Sequence, residues 1–277
     1  MEDCGLFCTR FTIRYLLSSI LTSPPGLPSS ILTSPPGLPS SFLTSPPGLP
    51  PMDFPPFPGF RPEAFAFLGD LALHNDRDWF KARKATYEDE VQWPLRCLVV
   101  DAAREAGRLQ IPLTGDPKHS LFRIYRDTRF SKTKVPYKTS AGAVLSRSGS
   151  RKDSGVLYIH FEPGRSFLGA GFWQPESKQL RRWRSRIVEA PDAFRTMVDQ
   201  VKAGGMEMDP EDKLKRLPRG FEAYTEADFA PFLKWKSLVA YRKVPDEALH
   251  SPAFTAEVVQ AMQTALPLLE FGWSIEP

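Results

Sequence analysis

Cysteine is scarce in this chain of 277 residues: Cys4 and Cys8 lie in the first ten, and Cys97 is alone in everything that follows. A lone thiol excludes a disulfide framework, and within Pro94-Leu-Arg-Cys-Leu-Val-Val100 it belongs to an apolar helix face as inert core. No apolar run reaches the roughly 18 residues that a membrane span requires, so a membrane location is not expected. Residues 11–21 are apolar, but Glu2 and Asp3 stand where a secretory leader would be basic, and Arg14 interrupts the run. The expected compartment is the cytoplasm. No Gly-x-Gly-x-x-Gly or Walker-type segment accompanies a strand-to-helix switch, which excludes nucleotide binding of the Rossmann or P-loop kind and leaves the chain without a cofactor signature. Histidine is limited to four residues, 74, 119, 160 and 250, and no spacing of metal-ligating residues marks a metal site.

Proline is abundant instead, and unevenly placed. Ten of the 28 prolines fall in residues 1–51, where Ser18-Ser-Ile-Leu-Thr-Ser-Pro-Pro-Gly-Leu-Pro28 recurs at 29–39 and, with Phe42 for Ile, at 40–50. Pro-Pro-Gly in every unit breaks helix and strand alike, so the expectation is a disordered, partly polyproline-like arm over residues 1–51 and one domain over 52–277, with Met52 as a natural start.

Within that domain, the apolar period of 3.6 predicts a helix from Pro62 to about His74, a second capped by Asn75, and a third that continues from the Trp93-Pro94 joint to Gly107. From Ser120 the period becomes two. Strands are predicted at Ser120–Arg126, Tyr137–Leu145, Gly155–Phe161, Ser166–Trp173 and Trp235–Val244, with helices at Pro175–Glu189, from Pro191 and at Ser251–Phe271. Helices, then a meander, then helices define an α+β fold with an antiparallel sheet, not a parallel βαβ layout.

Charge is concentrated between Lys118 and Lys152, where ten Lys or Arg face one acid, Asp127. This local balance of +9 in a chain of net +4 leaves the remainder at −5. Interleaved Phe122, Tyr125, Phe130 and Tyr137 give the island the composition of a surface that receives phosphate, carboxylate or nucleic acid. Strict alternation puts Leu121, Arg123 and Tyr125 on one face and Phe122, Ile124 and Arg126 on the other, so Arg126 either emerges or is buried against Asp127. Arg129, Lys132 and Lys134 follow on a loop suited to wrapping an oxyanion. Tyr137 and Lys138 lead out of it.

His160 and Glu162, two apart on a strand, share a face with Tyr158 and form the best acid/base pair in the sequence. A metal would need a third ligand, for which Asp127 or Asp78 is available. Gly169 and Gly171 allow close approach of a backbone or ligand. Arg181, Arg182, Arg184 and Arg186 surround Trp183 in a pattern that suits a solvated helix face. Lys215-Arg216 forms a second basic turn.

Several of these blocks occur together in a known order. Phe57-Pro-Gly-Phe60, Phe67-Leu68, His74-Asn-Asp-Arg-Asp-Trp-Phe80, the Phe122–Thr139 segment, Tyr158-x-His160-x-Glu162-Pro163, Ser166-Phe-Leu-Gly-Ala-Gly171 and Leu214-Lys-Arg-x-Pro-Arg-Gly220 resemble the signature of the uncharacterised bacterial and fungal family called domain of unknown function 2461. The likeness runs from about Asp53 onward and departs at His74, where the family usually has a first Asn. It implies a fold and a set of positions, and no activity.

The residues thus point to an anion-binding domain with a pocket formed by Arg123, Arg126, Arg129, Lys132, Lys134, Tyr137, Lys138, Lys215 and Arg216. His160, Glu162 and Asp127 would carry the proton chemistry of a hydrolase or transferase. The alternatives are a nucleic-acid-binding module without catalysis and an interaction domain without ligand. Removing residues 1–51 is expected to leave the melting temperature within about 2 °C, because such an arm buries almost nothing; a larger fall in a thermal scan would show that it packs on the domain.

Overall fold

The computed structural model describes residues 54–127, 134–208 and 212–275. The repeat arm and Met52, like Arg129, Phe130 and Lys132, lie outside the described residues.

Helix α1 (Pro62–Leu73) starts with Pro62 in its first turn, where a missing N–H costs nothing, and buries Ala64, Phe67, Leu68 and Leu71. It ends at His74, as the periodicity predicts. Helix α2 (Arg77–Ala82) is capped by Asp76, whose carboxylate accepts from the amides of Asp78 at 3.0 Å and Trp79 at 2.8 Å. Asn75 is therefore not the cap. Its amide instead pairs with the backbone of Tyr137 in both directions: Nδ2 donates to the Tyr137 carbonyl and Oδ1 accepts from the Tyr137 amide, each at 3.0 Å. A π-helical stretch, Tyr87–Gln92, then runs straight into α3 (Trp93–Arg108). Helix α3 runs one residue past Gly107, and the left-handed residue that follows is Gln110, at φ 57°. Cys97 is fully buried on α3, and burial pushes its thiol pKa up.

Four strands, β1 (Ala141–Leu145), β2 (Val156–Phe161), β3 (Phe167–Phe172) and β4 (Leu238–Lys243), form an antiparallel sheet in sequence order. Between β3 and β4 lie α4 (Ser177–Glu189) and α5 (Pro191–Ala203), and α6 (Phe254–Trp273) closes the chain. The fold is α+β, with helices before and after the meander.

The register separates two faces. Ala141, Ala143 and Leu145 lie opposite Phe161, Ile159 and Leu157, which continue across to Leu168 and Ala170, and β3 meets Ala240 and Leu238 of β4. These side chains join the main core with α3 and α6, which pack on the sheet and on each other. The opposite face carries Val144, Tyr158, Phe167 and Tyr241, with Phe122, Val156 and Trp173 against them.

One predicted strand is not regular. Leu121 bridges Ala143 and Tyr125 bridges Tyr137, with a bend at Ile124 between them. The bend breaks the alternation: Leu121 and Ile124 both enter the main core, while Phe122 packs on the opposite face. Tyr137 is buried and stacked on Phe80 at 4.1 Å between ring centroids, with Tyr125 5.4 Å away. Asn75 and Phe80 thus fasten the far arm of the basic hairpin to α1 and α2. Asn75→Ala would strand a buried backbone donor and acceptor at Tyr137 and is expected to cost about 1 to 3 kcal/mol in urea denaturation. Faster exchange of the Tyr137 amide should accompany that loss, and an unchanged midpoint would show that water replaces the side chain.

Candidate functional site

Strand β2 places Tyr158 and His160 on the face opposite the helices, and Glu162, the residue after it, continues their row. Three side chains at spacing two share that face, and they are linked in a row. His160 Nε2 lies 3.1 Å from Glu162 Oε2, and its Nδ1 lies 3.2 Å from the Tyr158 hydroxyl. The ring is 2% exposed and stacks on Phe167, its cross-strand partner, at 4.6 Å. Gly142, opposite His160 on β1, makes room for this arrangement: a Cβ there would meet the Tyr158 hydroxyl at 2.7 Å.

Glu162 is held by the turn that follows it. In Glu162-Pro-Gly-Arg165, Pro163 presets one central residue and Gly164 supplies φ 71° at the next, and the Arg165 amide donates to the Glu162 carbonyl at 2.8 Å. This is the geometry of a type II turn. It returns the Arg165 guanidinium to Glu162 Oε1 at 2.6 Å, where the Thr139 hydroxyl also donates at 3.2 Å. Ser166 Oγ accepts from the Glu162 amide at 3.1 Å, and two hydrogen bonds from the Gly164 amide to Asp246 fix the turn tip. Burial alone pushes the Glu162 carboxyl pKa up, but the hydrogen bond from His160 and the charge that this ring carries when protonated, with Arg165 and Thr139, outweigh it and hold the carboxyl below its ordinary value of 4.5.

Of the expected ligand-binding residues, Lys138 stands near this row. Its ammonium lies 5.6 Å from the centroid of the Phe122 ring, which meets Tyr158 edge-on at 5.8 Å. Arg123 and Lys134 are exposed, and Arg126 and Asp127 are half-buried. Arg126, for which the alternation leaves emergence or burial against Asp127 open, is half-buried at the start of the hairpin loop, with its amide paired to the Pro136 carbonyl. The Tyr137 ring is spent in the aromatic stack with Phe80. Lys215 and Arg216 do not meet His160. Lys213 pairs with Trp235 where the chain enters β4, whereas His160 is in register with Phe167 and Lys243, where β4 ends. The basic island also contains structural cations: Arg151 donates to the carbonyls of His119 and Leu121, and the Arg147 guanidinium covers the Trp273 ring.

Sequence reasoning passed over Tyr158 as a chemical group, although the alternation that selected His160 and Glu162 also selects it. It did not find Thr139 or Arg165. The Pro-Gly pair after Glu162 was the signal for Arg165, since a type II turn brings its ends together. Among the described residues no group of three or more His, Cys, Asp and Glu is placed to hold a metal ion, and none of their helices is long and apolar enough to cross a membrane.

The lowered Glu162 pKa has a definite sign. Between its folded value and the ordinary value the unfolded chain binds more protons, so this group's contribution is fully present above the ordinary value and is lost as pH falls through the folded one. Glu162→Gln keeps an acceptor for His160 but removes the charge. The variant should be less stable than wild type at neutral pH by about 1.5 to 3 kcal/mol, with the gap closing as pH falls below 4.5. A gap independent of pH, measured by urea denaturation from pH 3 to 7, would show that folding leaves the Glu162 pKa at its ordinary value, and a gap that widens as pH falls would show that folding raises it.

The family model for conserved hypothetical proteins, DUF2461, matches residues 63–271. No curated protein and no solved structure matches the chain. The matched region takes in α1, the basic hairpin, all four strands and nearly all of α6, with Asn75, Tyr158, His160 and Glu162 inside it, and the chain belongs to the DUF2461 family.

Proposed function

We propose that this protein is an enzyme that binds a small phosphate- or carboxylate-bearing substrate and moves a proton at the Tyr158 hydroxyl, in hydrolysis or group transfer. The observation that carries this reading is the row Glu162, His160, Tyr158, in which each ring nitrogen of one buried imidazole meets a different partner. With Glu162 ionised, Nε2 holds the proton and donates it to the carboxylate, which leaves Nδ1 as the acceptor of the Tyr158 hydroxyl. Transfer of that proton to Nδ1 creates a phenolate and an imidazolium, and the imidazolium is stabilised by the charge of Glu162 beside it. The Tyr158 oxygen then acts as base or nucleophile toward the substrate, and His160 acts through it.

Arg165 and Thr139 serve this chemistry by holding Glu162 charged and in place. Lys138, one ring away from the Tyr158 hydroxyl, supplies positive charge for the anionic group of the substrate, and Arg123, Arg126 and Lys134 on the same hairpin add to its field. Nucleic-acid binding along this hairpin is the weaker reading, because the buried Tyr137 ring has no face to offer a base.

p-Nitrophenyl phosphate and p-nitrophenyl acetate serve as probes of the two ester classes, and inorganic phosphate as a probe of the anion site. Wild type is expected to hydrolyse one ester above the rate of heat-inactivated protein and to melt higher in phosphate. Tyr158→Phe should lower turnover by about 100-fold or more while keeping the phosphate-induced rise in melting temperature. Full activity in Tyr158→Phe, or wild type without turnover of either ester and unmoved by phosphate, would overturn the proposal.

A further inference from the structure

Helix α4 carries a second charged feature that the relay does not use. Its buried side is made by Trp183, Arg184 and Ile187. Trp183 meets Phe172 edge-on at 5.1 Å, and Arg184 donates to the carbonyls of Leu233 and Trp235 at 2.8 and 2.9 Å. Burial lowers the Arg184 pKa, and its hydrogen bonds tie α4 to the segment before β4. The helix is thereby fixed in rotation.

Rotation fixed in this way presents Lys178, Arg181, Arg182, Ser185, Arg186 and Glu189 together. The spacing of three, four, seven, eight and eleven residues from Lys178 is one continuous helical stripe. With Ser274 and Ile275, just past the end of α6, these side chains line a cleft of about 560 Å³. Four cations there face one acid. Glu189 approaches Arg186 at 3.7 Å, and among the described residues Lys178, Arg181 and Arg182 take part in no ion pair. The basic turn that failed to meet His160 arrives here instead: an atom at the Cβ position of Gly220 would lie 3.5 Å from Arg181 Nη2, and Lys215, Arg216 and Arg219 in the same turn are exposed.

We propose that this cleft binds the phosphodiester backbone of single-stranded nucleic acid without regard to sequence, at a site separate from the Tyr158 relay. Four like charges in a concave, solvent-filled surface raise the local concentration of an anion far more than the same charges dispersed. From Lys178 to Arg186 the helix rises about 12 Å, which spans three to four nucleotides at a strand rise of about 3.4 Å. Continuation of the field onto the Lys215–Arg219 turn provides for a polymer more than for a small polyphosphate, which the cleft alone would satisfy. The lining contains no aromatic ring on which a base could stack, and its hydroxyl and guanidinium groups suit phosphate oxygens, so the contacts position a strand and do not read it.

The test uses the full chain and the fluorescence anisotropy of a labelled dodecameric oligothymidylate. Four phosphate contacts give a log–log salt slope near −2.8, which is about a 50-fold loss of affinity between 50 and 200 mM salt. The double variant Arg181→Gln/Arg182→Gln should retain the wild-type melting temperature and halve the slope, to about a sevenfold loss. Lys118→Gln/Lys152→Gln, which removes two exposed cations of the hairpin region, should bind as wild type does. The proposal is overturned by absence of binding at 50 mM salt, by an unchanged slope in the α4 variant, or by an equal loss in the hairpin variant. It is equally overturned if tripolyphosphate or polyglutamate displaces the oligonucleotide at matched charge, since the first would mark a small-polyphosphate site and the second a site for acidic protein.

Discussion

A β-strand sends successive side chains to opposite faces, and along β2 and the residue after it this constraint separates the side chains that hold the core from a row of polar ones. Leu157, Ile159 and Phe161 enter the core beneath α3 and α6, while Tyr158, His160 and Glu162 occupy the other face. The register across β1 and β3 depends on the first set. A slip by one residue would expose three large apolar side chains and drive a carboxylate and an imidazole under the helices. Correct pairing therefore fixes the row of polar groups to the precision of the sheet without any bond made by those groups themselves.

The row then has to meet its own cost of burial. A carboxylate at the position of Glu162 loses much of its hydration, which favours the neutral acid, and its neighbours reverse that preference. Each partner comes from a different local cause. The type II turn returns Arg165, the exit from the basic hairpin supplies Thr139, and strand alternation supplies His160. None of the three is positioned by Glu162 alone. The arrangement is preorganised for the proposed proton transfer, because the charge that would stabilise an imidazolium stands in place before any proton moves.

Much of this architecture is legible in the sequence, and the reasons are specific. Strands β2 and β3 were bounded to within a residue or two because Gly155, Pro163-Gly164 and Ser166 punctuate a strong period of two. The segment after Ser120 misled for the opposite reason. Periodicity assumes an unbroken strand, and the bend at Ile124 puts Leu121 and Ile124 in one core although they stand three positions apart, which a regular strand would send to opposite faces. Asn75 was expected to cap because Asn is a favoured cap residue, yet the adjacent Asp76 performs that task and releases the amide for Tyr137, 62 residues away. Partners at that separation leave no local pattern. Likewise, only the fold shows that the basic turn runs from Lys213, paired with Trp235 ahead of β4, to Gly220 beside Arg181 of α4, whereas His160 is in register with the end of β4.

The distribution of cations makes the same point about charge. The island from Lys118 to Lys152 dominates the linear sequence, but counting along a chain weights every Lys and Arg equally, whereas the fold assigns them different tasks. Arg151 fastens the His119–Leu121 backbone, Arg147 covers Trp273, and Lys138 lies over Phe122. The α4 stripe is shorter and was easily read as a solvated face, yet it shares a cleft and draws in a basic turn from more than thirty residues further along. A guanidinium already engaged with backbone carbonyls or a ring has fewer donors left for a ligand, while Arg184, buried and hydrogen-bonded beneath the stripe, shows that even within one helix the four arginines are not equivalent. What a cation can do is therefore set by the volume that the packing leaves it facing: Lys178, Arg181, Arg182 and Arg186 face the α4 cleft, while Lys138 lies over the Phe122 ring on the sheet face.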